Sequence, residues 1–201
     1  MSVSVEKSSP SSTISSNYES PLNPKANKII NDHNSTPVSN AIPAPVIFVQ
    51  ILLHILSENK KSNDYYKKLS SNQDGHFTFK VYPSISLFDY LQRIIKYVRI
   101  ELSTLIIAMI YIDRICREKV FLNEFNVHRI MLIAIYIAYI YNEDCVFDNK
   151  YLALVSGLSK AEMMTLQEDF LELIEFKLFV NDSLYNQYKD CVLRDYINSK
   201  D

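Results

Sequence analysis

From Pro83 to Val180, large apolar residues return at steps of three and four, and polar residues occupy most of the positions between them. Steps of that size place side chains on one face of an α-helix, so this part of the chain is predicted to be a set of amphipathic helices. In "SISLFDYLQRIIKYV", Leu87, Leu91, Ile94, Ile95 and Val98 form a stripe beneath Asp89, Gln92, Arg93 and Lys96. A second helix follows in "LSTLIIAMIYIDRICREK", with Ser103 as its expected cap and a basic end that suits the helix dipole. "VHRIMLIAIYIAYIY" supplies the third, opened by Asn126, and "NKYLALVSG" a short fourth ended by Gly157. In "SKAEMMTLQEDFLELIEFKLFV", Ser159 and Glu162 stand at capping-box spacing ahead of Met163, Leu166, Phe170, Leu173 and Ile174, which defines a fifth.

The third helix is unlike the others, because the run from Ile130 to Tyr141 contains no charge and is apolar on every side. A membrane span needs about 18 or more apolar residues, so this run is too short, and it ends in Glu143 and Asp144. It reads as the central helix of a bundle, surrounded by its partners.

The flanking segments carry a different pattern. Residues 1–42 are rich in Ser, Asn and Pro and are expected to form a disordered tail, since they lack the apolar surface needed to offset the entropy of ordering. Residues 43–58 are expected to form a helix with Val46, Val49, Ile51, Leu53 and Leu56 on its apolar side and Pro45 in its first turn. Residues 59–82 read as a polar exposed loop containing Tyr65, Tyr66 and an Asp74-Gly75 turn. The five helices occupy 83–181. A terminal helix over 182–201 carries Leu184, Tyr188, Cys191, Val192 and Tyr196 behind a cap at Asp182 or Ser183. The predicted class is all-α.

Composition narrows the function. With 2 glycines in 201 residues, glycine-rich phosphate loops and dinucleotide fingerprints have nothing to be built from. A net charge of −2 supplies no general attraction to nucleic acid or anionic membranes, so neither is expected as a partner. Cys116, Cys145 and Cys191 are scattered, as are His33, His54, His76 and His128, which leaves no metal or cofactor site to predict. No apolar run follows the opening "MSVSVEKSSPSST", so a secretory leader is not expected there and the cytoplasm or nucleus is the expected location. Carboxylate pairs such as Glu143 with Asp144 and Glu172 with Glu175 have no accompanying nucleophile or histidine, so enzymatic activity is not expected.

"PSISLFDYLQRIIKY", "IYIDRI", "NVHRI", "NKYLALVSGLS" and "FLELIEFKLFV" occur in this order over about a hundred residues. Together they closely resemble the cyclin box of the yeast phosphate-signalling cyclins and the plant P/U-type cyclins. The resemblance implies a single five-helix cyclin box with a flanking helix at either end. It also implies a regulatory subunit that pairs with a cyclin-dependent protein kinase and activates or directs it. In that family the third and fifth box helices grip the regulatory helix of the kinase, and the matching positions here are Ile137, Tyr141, Leu171 and Leu178. Ile137 and Tyr141 are four apart on the third helix, and Leu171 and Leu178 seven apart in the fifth predicted segment, so each pair is expected to share a face.

Two positions depart from the family. Many cyclins carry a lysine before the docking aromatic and a glutamate near the start of the fifth helix, where this chain has Ile140 and Gln167. Removing both charges together avoids the cost, about 3–5 kcal/mol, of leaving one charge unpaired near a buried interface. Asp113 and Arg114 in "YIDR" match the family signature, and Asp113 is expected to hold a neighbouring helix or loop. His128 is expected to be a packing or capping residue. The competing reading is a cyclin-fold scaffold that binds a partner without activating a kinase.

Overall fold

The computed structural model describes residues 44–71, 75–144 and 148–198. The expected tail over 1–42, Asp74, Cys145 and the Tyr196 side chain lie outside the described residues. Within them the fold is all-α, with eight α-helices and one short 3₁₀ turn. They are α1 (Ala44–Lys61), α2 (Tyr65–Ser71), the 3₁₀ turn (Gly75–Phe77), α3 (Leu87–Val98), α4 (Leu102–Glu118), α5 (Val127–Asn142), α6 (Asn149–Ser156), α7 (Lys160–Leu173) and α8 (Asp182–Asn198).

The predicted five-helix unit is α3 to α7. Its centre is α5, in which Val127, His128 and every residue from Ile130 to Tyr139 are buried. The two flanking neighbours α4 and α7 pack against it, α3 also touches it, and α6 bridges α3 and α7. The uncharged run from Ile130 to Tyr139 is tolerated here because protein, and not water, meets all its sides.

Local chemistry sets most of the helix ends. The Ser86 hydroxyl accepts from the Asp89 amide at 3.0 Å to open α3. Asp148 does the same for the amide of Tyr151 at 2.7 Å to open α6. The Ser159–Glu162 capping box opens α7. Gly157 closes α6 at φ 78, a left-handed conformation that glycine enters without a Cβ clash.

Four expectations are corrected. Ser103 does not cap α4, which begins one residue earlier behind Glu101 without a side-chain cap. Asn126 does stand at the start of α5, but its carboxamide accepts from the Asn123 amide and donates to the Phe121 carbonyl, fastening the entry loop. Asn181 opens α8, accepting from the Leu184 amide at 2.9 Å in place of Asp182 or Ser183. The segment 59–82 is not simply an exposed loop: it contains α2 and the 3₁₀ turn, because Tyr65 and Phe77 are buried and anchor them. Phe77 meets Phe170 of α7 edge-on at 6.4 Å.

The first helix is present but longer and rotated relative to the sequence expectation. Ile47, Phe48, Val49 and Leu52 face inward, while Leu53 is exposed. This helix packs against α3, α4 and α8 at once, so its buried face is broader than a single stripe.

Candidate partner-binding site

At its last turn α5 emerges from the core. Tyr139 is buried, Ile140 is 38% exposed and Tyr141 is 52% exposed. The end is fastened on its inner side, where the buried Thr104 hydroxyl donates to Glu143 at 2.6 Å. The Asn142 carboxamide folds back and donates to the Ala138 carbonyl at 2.7 Å, one turn earlier on the same helix. The Tyr141 ring is thus left partly in water at the end of the helix.

The predicted site residues separate into a floor and a rim. Ile137 is 1% exposed and belongs to the core, so it can only back the surface. Leu171 and Gln167 are half-buried along the side of α7, and Leu178 is half-buried beyond it. The expected seven-residue relation between Leu171 and Leu178 on one helix does not hold, because α7 ends at Leu173. Glu175 and Phe176 both take φ 55, in the left-handed region, and turn the chain away.

What closes α7 is tertiary. The Lys119 ammonium, just past α4, donates to the Leu173 carbonyl at 2.9 Å and to the Glu175 carboxylate. Lys119 and Lys177 hold the Glu175 carboxyl down to about 2, first through hydrogen bonds and then through charge. Arg114 donates to the carbonyls of Lys177 and Phe179. Tyr111 donates to the Leu178 carbonyl at 2.8 Å.

Tyr111 joins the two halves of the site. Burial pushes its phenol up to about 12, while the Asn142 hydrogen bond and the Arg114 charge pull down and Tyr141 pushes up. Its hydroxyl reaches the segment after α7 at Leu178, and its helix α4 packs against α5. Sequence reading passed over Tyr111, since it resembled any other apolar-face residue of its helix. It also passed over Phe176 and Phe179, which are 68% and 73% exposed, because they were counted into a continuous fifth helix.

Asp113 points the other way. It accepts from Arg117 at 2.9 Å and from the Tyr188 hydroxyl at 2.6 Å, tying α8 to α4. Burial and the Asp113 hydrogen bond push the Tyr188 phenol up to about 12. His128 is buried, and its Nε2 donates to the Ile85 carbonyl at 3.1 Å, while burial lowers its pKa. No group of three or more His, Cys, Asp or Glu suited to a metal is found among the described residues. No described helix is long and apolar enough to cross a membrane.

A five-helix box flanked by a helix at either end, with one apolar edge left exposed, is the architecture of a cyclin-fold protein. The chain belongs to the cyclin family: the family profile described as "Cyclin" matches residues 3–178. It is similar to Cyclin-U4-3 of Arabidopsis thaliana, 35% identical over 79% of this chain and 71% of that one. It is also similar to Cyclin-P4-1 of Oryza sativa subsp. japonica, 30% identical over 75% of this chain and 73% of that protein. Membership gives it a cyclin-like regulatory role.

Proposed function

We propose that the protein forms a heterodimer with a cyclin-dependent protein kinase in the cytoplasm or nucleus, and activates or directs it without catalysing a reaction itself. The regulatory helix of the kinase docks in the groove between the third and fifth box helices, α5 and α7. Tyr141 and Ile140 line one side of this groove, and Gln167, Leu171 and Leu178 the other. The carrying observation is the half-exposed Tyr141 ring at the end of a helix that is buried from Ile130 to Tyr139. A groove between two helices that accepts a third is an established mode of recognition.

Ile140 is exposed and Gln167 half-buried at the positions where many family members carry a Lys and a Glu. Binding at this edge therefore relies on apolar contact and neutral hydrogen bonds. That favours, as a second reading, a scaffold that binds its partner without activating it.

The test uses a panel of recombinant cyclin-dependent kinases, with affinity measured by calorimetry and activity by substrate phosphorylation. At least one kinase should bind, and Tyr141→Ala should weaken it roughly thirtyfold, since truncating a central aromatic anchor commonly costs about 2 kcal/mol. Binding with no gain in phosphorylation selects the scaffold. If Tyr141→Ala leaves affinity unchanged while circular dichroism shows a native fold, the groove is wrong.

A further inference from the structure

We infer that the docking edge continues onto the segment 175–179, and that the helix it receives has an apolar ridge flanked by lysine or arginine side chains. This rests on the kinase-groove reading and names the chemistry that the groove selects.

Phe176 and Phe179 are large rings left in water, yet the backbone that carries them is held at every step. Arg114 grips the carbonyls of Lys177 and Phe179, Tyr111 that of Leu178, and Lys119 that of Leu173. Glu175 and Phe176 are fixed in a left-handed conformation that a residue with a Cβ rarely adopts, so their contacts hold a geometry the local chain disfavours. A segment fixed before binding loses little backbone entropy on binding, and aromatic anchors are the residues that gain most at the centre of an interface. Leu178, between the two rings, accepts from Tyr111 of α4, the helix that packs most extensively against α5, so the rings lie on the segment that α4 anchors beside the groove.

Charge selects the occupant. The outward stripe of α7 carries Met164, Glu168 and Glu172, all exposed, beside half-buried Gln167 and Leu171. Glu168 and Glu172 make no ion pair among the described residues, whereas Lys177 is engaged by Glu175. The α7 side of the apolar edge is therefore negative, while Arg114, Lys119 and Lys177 at the 175–179 side are engaged with nearby main-chain carbonyls and with Glu175. A second copy of this chain, docked symmetrically, would bring the same carboxylates against each other, and like charges across an interface are selected against. A helix with basic flanks matches both the rings and the carboxylates.

Two synthetic helical peptides with the same leucine ridge, one flanked by lysine and the other by glutamate, test this alongside any kinase that binds the full chain. The lysine peptide should bind at least about tenfold tighter than the glutamate peptide, and the difference should shrink sharply at about 0.5 M salt. Glu168→Lys with Glu172→Lys should reverse the preference. Phe176→Ser with Phe179→Ser should weaken the lysine peptide and the kinase by about tenfold with an unchanged circular dichroism spectrum. Equal binding of the two peptides, or loss of less than about twofold in the double Phe→Ser variant, overturns the inference. So does sedimentation showing that the chain pairs with itself through these phenylalanines. If the kinase responds to Tyr141→Ala and to neither double variant, this inference falls and the kinase groove stands. If the peptides behave as expected while no kinase binds, the kinase reading falls and the basic-helix chemistry of the edge stands.

Discussion

The hydroxyl of Tyr111 donates to the main-chain carbonyl of Leu178 across 67 residues of sequence, at 2.8 Å. This bond ties the middle of α4, the helix that packs against α5, to a segment that belongs to no helix. The edge proposed to bind a partner is thus built by the helix behind it.

Tyr111→Phe should keep the ring in its place and leave the Leu178 carbonyl without this donor. The expected loss is about 1–2 kcal/mol of stability, the usual cost of depriving a largely buried group of its hydrogen bond. Urea denaturation measures it. Amide exchange should quicken over residues 174–180 while the centre of α5 stays protected.

Glu175 supplies a second test, because its φ of 55 opposes any side chain with a Cβ. Glu175→Ala and Glu175→Gly both remove the carboxylate that Lys119 and Lys177 share. Only glycine also relieves the left-handed strain, so Glu175→Gly should be the more stable of the two by about 1 kcal/mol. Equal melting temperatures would mean that the turn does not oppose the chain's own preference.

Such turns mark the limit of what the residue pattern conveys. Helix starts were legible where the cap is local, as with Ser159 and Glu162, whose box is three residues long and needs nothing else. Burial of α5 was legible as well, since an uncharged run too short for a membrane has only a protein interior to occupy. The end of α7 was not, because "FLELIEFKLFV" contains no glycine or proline and keeps its apolar spacing past Leu173. It is stopped by Lys119, Arg114 and Tyr111, which lie more than fifty residues away in sequence. Leu178, placed by family resemblance on the fifth helix, therefore lies in the segment beyond it. The inward face of α1 escaped for a related reason: helices on several sides bury Phe48 and Leu52 and leave Leu53 outside.

His128 gives a pH dependence with a defined sign. Burial lowers its folded pKa below that of the unfolded chain, so between the two values the unfolded state binds the extra proton. Stability from this residue is full above the unfolded value of about 6.5 and is lost as pH falls through and below it. Thermal melts at about pH 7.5 and 5.5 should show a drop that is smaller in His128→Gln. An identical drop in both proteins would assign the acid sensitivity to other groups.

Ile140 and Gln167 permit a test of how the groove recognises its partner. Ile140 is exposed at the end of α5, and Gln167 lies half-buried on α7, which packs against α5. Ile140→Lys alone places an ammonium beside an apolar rim with no carboxylate assigned to it. When a partner helix covers that rim, the unpaired charge should weaken binding, by up to about 3–5 kcal/mol if it is fully desolvated. The double change Ile140→Lys with Gln167→Glu supplies the carboxylate and should recover part of that loss. Folding in isolation should differ little between the two, since position 140 meets water and a lysine there can extend into it. Calorimetry against a bound kinase, with circular dichroism as the control for folding, gives the comparison. Recovery in the double variant places positions 140 and 167 within reach of each other under the partner. If the double variant binds no better than Ile140→Lys alone, the two positions do not act as a pair, and the side of the groove assigned to Gln167 has to be moved.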